Sequence, residues 1–223
     1  DAWIINASIG NEDAGLYSFA YKIGFLMFGL INAFQNASLS GFTKMMDERN
    51  GDAISTQVLS IHKLTVVGAM FLILFSVDVG TLLSAKASFR TALTVVPIIT
   101  IGYVFYGMSM LFCRNFNYLK LNIYLTVTLL FAGTLNVLLN LYYIPLYGYE
   151  AAAYTTLISY IVMAFVSWIL AVYWLKIPPL PIFSMLLQLI PLALVSFLFY
   201  YMHWQDQALN IFNIFKAWNS RKL

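Results

Sequence analysis

The chain has 223 residues, of which 61% are hydrophobic and 9% charged, and its formal net charge is +3. Soluble domains carry roughly 25% charged residues, so a water-soluble globule that hides its apolar side chains is excluded. The dispersed basic residues do not make a nucleic-acid face. Cys113 is the single cysteine, which excludes an intrachain disulfide and a Cys-rich metal site, and His62 and His203 do not make a histidine metal or catalytic cluster.

Six apolar stretches fill the chain: Leu16–Ser40, Val58–Ser84, Leu93–Cys113, Ile123–Tyr143, Ala151–Leu175 and Ile182–Met202. Each has about the 20 residues that a helix needs to cross a bilayer. The expected fold is therefore all-α: a polytopic membrane bundle of about six spanning helices, preceded by the end of another. Asp1-Ala-Trp-Ile-Ile reads as that end, and the chain is expected to be a fragment or truncated product. The loop 41–57 is the longest and carries no catalytic arrangement. No Gly-rich phosphate loop precedes a helix, so neither cofactor nor enzymatic activity is expected. Pro97 and Pro191 are expected to interrupt the third and sixth spans, because proline removes a backbone bond. Beyond Met202, Ala208–Trp218 is too short to span and is expected to lie at the interface.

Basic residues in the connections set the orientation. Lys44, Arg49, Lys63, Arg114, Lys120 and Lys176 fall on one side, six against Lys86 and Arg90 on the other. The positive-inside rule places the first group in the cytoplasm. Arg114 is expected to anchor the inner interface, and Glu150 to favour the dipole at the start of the fifth span.

Polar residues inside the spans are aligned. On the first span Ser18, Lys22, Gly29, Asn36 and Ser40 project within about 40° of one direction, with Asn32 at the edge. Asn122, Thr126, Gly133, Asn136 and Asn140 share a face of the fourth span, and Gly102, Tyr106, Ser109 and Cys113 a face of the third. Lipid penalises such faces, so they point into protein or water. Two readings stand. Small and polar residues let helices approach and hydrogen-bond. Alternatively they line a hydrated cavity that accepts a polar substrate. Lys22 divides in the same way, between a side chain that reaches back to the interface and a cavity cation that offsets an anionic group such as phosphate.

The segment Asn11-Glu12-Asp13-Ala14-Gly15-Leu16-Tyr17-Ser18-Phe19-Ala20-Tyr21-Lys22 resembles the stretch after the seventh helix of bacterial polysaccharide exporters. Asp1-Ala-Trp-Ile-Ile is similar to the end of that seventh helix, and Ile31-Asn32-Ala33-Phe34-Gln35-Asn36-Ala37 to the continuation of the eighth. Leu135-Asn136-Val137-Leu138-Leu139-Asn140 and Ile144-Pro145-Leu146-Tyr147-Gly148 resemble the eleventh helix and its outer turn, followed by Ala151-Ala152-Ala153-Tyr154-Thr155-Thr156. Ala151 stands where the usual pattern has Gly. The family is the polysaccharide (O-antigen) flippase branch of the superfamily that also holds multidrug and toxin extruders.

The resemblance implies that residues 1–176 are a carboxy-terminal transporter lobe, from the end of helix seven to helix twelve of the family. Residues 177–223 would add a further spanning helix and an interfacial tail. It implies flipping of undecaprenyl-pyrophosphate-linked oligosaccharide units across a bacterial inner membrane by alternating access. Lys22 would meet the pyrophosphate, while Ser18, Asn32, Asn36, Asn136 and Asn140 would meet sugar hydroxyls. Expected partners are the lipid-linked oligosaccharide, membrane lipid, an amino-terminal lobe, a polysaccharide polymerase and a chain-length regulator. The alternatives are a cation antiporter of the same superfamily, disfavoured by the lack of a carboxylate among the candidate cavity residues, and a membrane enzyme of polysaccharide assembly.

Overall fold

The computed structural model describes residues 1–83, 87–175 and 181–202. These are all-α: α1 (Ala2–Ile9), α2 (Asn11–Ala37), α3 (Leu39–Asp47), α4 (Gly51–Leu83), α5 (Ala87–Ala92), α6 (Val96–Tyr118), α7 (Asn122–Tyr147), α8 (Glu150–Ile169) and α9 (Ile182–Leu187), with helix resuming over 190–202. Among the described residues, six helical segments are long and apolar enough to cross a membrane. Lys86, Lys176 and the expected interfacial tail lie outside the described residues.

The chain exposes many side chains that water would penalise. Leu130 is 65% exposed on α7 and Phe71 58% exposed on α4, and many of their neighbours resemble them. Exposed apolar surface on this scale marks a bilayer-facing perimeter. Tyr142, Tyr143 and Tyr147 mark one end of α7, and Tyr173 and Trp174 the opposite end of the bundle, as amphipathic rings do at membrane boundaries.

The centre of the bundle is α6. Of the most apolar part of the span 89–118, 83% is buried, against 11% for α7. Small residues explain why it can be surrounded, since they let helix backbones approach. A Cβ on Gly24 of α2 would meet Ile99 at 2.5 Å, and one on Gly102 would touch the Leu157 backbone of α8 at 3.5 Å. Ser109 and Ser167 then share a hydrogen bond of 2.9 Å between α6 and α8. On the polar face of the third span, Gly102 and Ser109 are therefore packing residues, whereas Tyr106 borders a cavity. α7 lies along α8, and α1 bridges α2 and α7.

Several local expectations change. The loop 41–57 is mostly helix: α3 and the start of α4 are separated by a turn in which Arg49 takes a left-handed φ of 54°. The α6–α7 turn repeats the device at Lys120, φ 59°. In both, an amide past the helix end returns to a carbonyl inside it, Asn50 to Met45 and Leu121 to Phe116, closing the last turn. Within the span 89–118 the α-helix does give way, to a 3-10 turn over Leu93–Val95, and Pro97 follows it in the first turn of α6, where a missing N–H is tolerated. The sixth span does break, between Leu187 and residue 190, and Pro191 sits at the start of the second piece.

Arg114 is not an interface anchor. It is 5% exposed, donates to the Gln35 carbonyl at the end of α2 and to the Ser38 hydroxyl, and lies 5.1 Å from the Phe42 ring centre. Its charge is set against the carbonyl end of α2 and braces the α2–α3 joint.

Candidate functional site

The site is organised by Asp1. This residue precedes α1 in the capping position, yet its carboxylate does not cap that helix. It turns to three other helices. Tyr17 of α2 donates to Oδ2 at 2.9 Å and Thr156 of α8 to the same oxygen at 3.1 Å. Asn140 of α7 donates to Oδ1 at 2.6 Å. Asn136, one turn earlier, satisfies its surroundings with its amide nitrogen 2.9 Å from Oδ1 and its oxygen toward the Thr156 backbone N–H at 3.3 Å. Four donors fill the acceptor capacity of the two oxygens. Thr155 completes the cluster by donating to the Asn140 amide oxygen. Among the described residues, no cation forms an ion pair with Asp1.

The sequence produces this convergence simply. Asn136 and Asn140 stand four apart and so share one face of α7. Adjacent Thr155 and Thr156 begin the second turn of α8, just beyond the tight α7–α8 turn, where Gly148 takes a φ of 78°. Gly10, with φ of 116°, turns the chain between α1 and α2 and brings Tyr17 to Asp1.

Two cavities meet at this cluster. One, of about 300 Å³, is lined by Asp1, Ala2, Tyr17, Ser18, Tyr21 and Lys22. The other, of about 350 Å³, is bounded by Asp1, Tyr21, Tyr106, Asn136, Thr156 and Tyr160, among others. Asp1 and Tyr21 belong to both, so a single groove runs between α2 and α7 over a floor of α6 and α8. Aromatic rings make one side of it. Tyr21 and Tyr103 share a hydroxyl contact of 2.7 Å, and the Tyr106 and Tyr160 ring centres lie 5.4 Å apart.

Of the residues singled out in the sequence, Lys22 and Ser18 line this groove and Asn136 and Asn140 hold its carboxylate. Lys22 is exposed and has no carboxylate partner among the described residues. Asn32 and Asn36 are not gathered here. Asn32 donates to the Phe28 carbonyl of its own helix at 2.9 Å, and Asn36 is exposed farther along α2. Asp1, Tyr17, Thr155 and Thr156 were missed as site residues. The available signal was the pair of amides four residues apart on an apolar helix, which needs partners of its own. The reading that no carboxylate faces the cavity is overturned by Asp1.

No family model matches the chain, and neither the curated proteins nor the solved structures compared with it give a match.

Proposed function

We propose that the chain is one lobe of a transporter that flips lipid-linked oligosaccharide, carried on undecaprenyl pyrophosphate, across a bacterial inner membrane. The observation that carries this reading is the groove itself. Within a bundle of apolar helices, it combines an unpaired lysine, a carboxylate held by amides and hydroxyls, and several tyrosines. Intramembrane polar groups of this kind are functional by default, because burying them in lipid is expensive. Lys22 would offset a pyrophosphate, while Ser18 and the tyrosine hydroxyls would exchange hydrogen bonds with sugar hydroxyls. The exposed stripe through Gly29 and Asn36 would face an amino-terminal lobe that closes the groove, and alternating access would move the head group without bond chemistry. A polymerase and a chain-length regulator would receive the product.

Asp1 adds a way to couple transport to an ion. It connects the segment before α1 with α2, α7 and α8 through donors only. A proton or a monovalent cation arriving at the carboxylate would cancel the charge that holds those donors together, and so would bias the groove between two arrangements.

The test is complementation. The full reading frame is expressed in a strain lacking its polysaccharide flippase, and surface polymer is measured. Restoration supports the reading. Failure despite good membrane expression, together with resistance to cationic drugs in an efflux assay, would replace it with the cation-antiporter reading that Asp1 makes chemically reasonable.

A further inference from the structure

A second pair of cavities lies away from the groove, at the end of the bundle where α7 turns into α8. Each measures about 510 Å³, and they share Glu150 and Tyr154. Tyr149 and Tyr200 help to line the first, and Tyr143 and Tyr147 the second. Among the described residues, no lysine or arginine lines either cavity, and Glu150 makes no ion pair. Tyr154 is 52% exposed, and no described aromatic ring stacks on it. The wall is fixed in place, because the Tyr200 hydroxyl donates to the Thr94 carbonyl at 2.8 Å and ties the last helix to the start of α6.

A carboxylate without a partner, surrounded by tyrosine rings, suits an organic ammonium group: the charge attracts it, and the ring faces accept it through their quadrupoles. Burial, and then the charges of Glu150 and Asp13, hold the Tyr149 phenol above its ordinary range. Position selects the source. The α7–α8 turn ends two membrane-spanning helices, so the carboxylate lies at headgroup depth. Ile158 in one cavity and Phe197 in the other, both exposed, continue toward the apolar perimeter where acyl chains run.

We propose that Glu150, Tyr154 and the tyrosines around them form a binding site for the ammonium headgroup of an ethanolamine phospholipid. The inference does not depend on what the central groove carries.

The chain is reconstituted in nanodiscs holding equal amounts of phosphatidylethanolamine and phosphatidylglycerol, extracted gently, and its retained lipid counted by native mass spectrometry. About tenfold preference for phosphatidylethanolamine is expected. Glu150→Gln and Tyr154→Leu should each remove most of it. Glu150 is exposed, so helical circular dichroism should be that of the parent chain. Equal retention of the two lipids, or an unchanged preference in Glu150→Gln, would overturn the proposal. So would displacement of the lipid by soluble phosphoethanolamine at equal concentration, which would assign the site to a free ammonium compound.

Discussion

The Asn140 amide donates to the Asp1 carboxylate across 2.6 Å, joining two residues 139 positions apart in the chain. On its other side the same amide accepts from Thr155. Asn140 is fully buried, so it can neither lose a partner to water nor replace one.

Removing it should therefore be costly. Asn140→Ala takes one of the two amide donors from Asp1 Oδ1 and leaves the Thr155 hydroxyl only its Ala152 carbonyl, and about 1.5–3 kcal/mol is expected for losing a hydrogen bond to a charged group. Asn140→Asp should be worse, because it places two carboxylates in contact. Thermal unfolding in detergent is the measurement, with midpoints expected in the order wild type, Asn140→Ala, Asn140→Asp.

Lys22 is tested through function. Lys22→Ala in the full-length protein should abolish surface polymer, while Lys22→Arg should keep part of it, since guanidinium also pairs with phosphate. Wild-type polymer in the alanine variant would show that the groove does not use this charge. Lys22 is exposed, so membrane expression of both variants should match wild type.

Gly24 and Gly29 make a controlled pair on one helix. An added Cβ at Gly24 would meet Ile99 at 2.5 Å, while at Gly29 it would meet nothing within 4 Å. Gly24→Ala should lower stability by about 1–3 kcal/mol through overpacking. Gly29→Ala should keep stability or raise it by about 0.5–1 kcal/mol, because the added methyl meets nothing and Gly is the poorer helix former. Equal unfolding midpoints for the two would mean that α2 does not seat on α6 as described.

The Ser109–Ser167 bond suits a double-mutant cycle. Hydrogen bonds between membrane helices average about 0.6 kcal/mol in such cycles. The two alanine variants should couple by about that amount in unfolding measurements, and additive effects would remove the bond from the α6–α8 contact.

The spans were legible because apolar runs of about 20 residues have few other uses. Their ends were not. The segment 41–57 carries Lys44, Asp47, Glu48 and Arg49 and reads as a loop, yet becomes α3 and the start of α4 with Phe42 buried beneath it. A short amphipathic helix at a membrane edge has too few apolar positions to stand out. The face of α7 was legible from the spacing of Asn136 and Asn140, but its partner was not. Asp1 stands immediately before a helix, where an aspartate reads as a cap, and only tertiary packing turns it toward α7 and α8. Asn32 and Asn36 are aligned on the helical wheel, yet Asn32 bonds the carbonyl of its own helix and Asn36 is exposed, and the wheel alone does not say what such a face meets.

The bracing of α6 against α8 through Gly102, Ser109 and Ser167 has a mechanical consequence. These two helices act as a keel, since they pack closely at Gly102 and are tied by the Ser109–Ser167 hydrogen bond. Tyr17, Ser18, Tyr21 and Lys22 on α2, together with Asn136 on α7, ride on either side of that keel. Strain applied to one flank is then carried across to the other instead of being absorbed in the middle, with the Asp1 cluster as the strap between them.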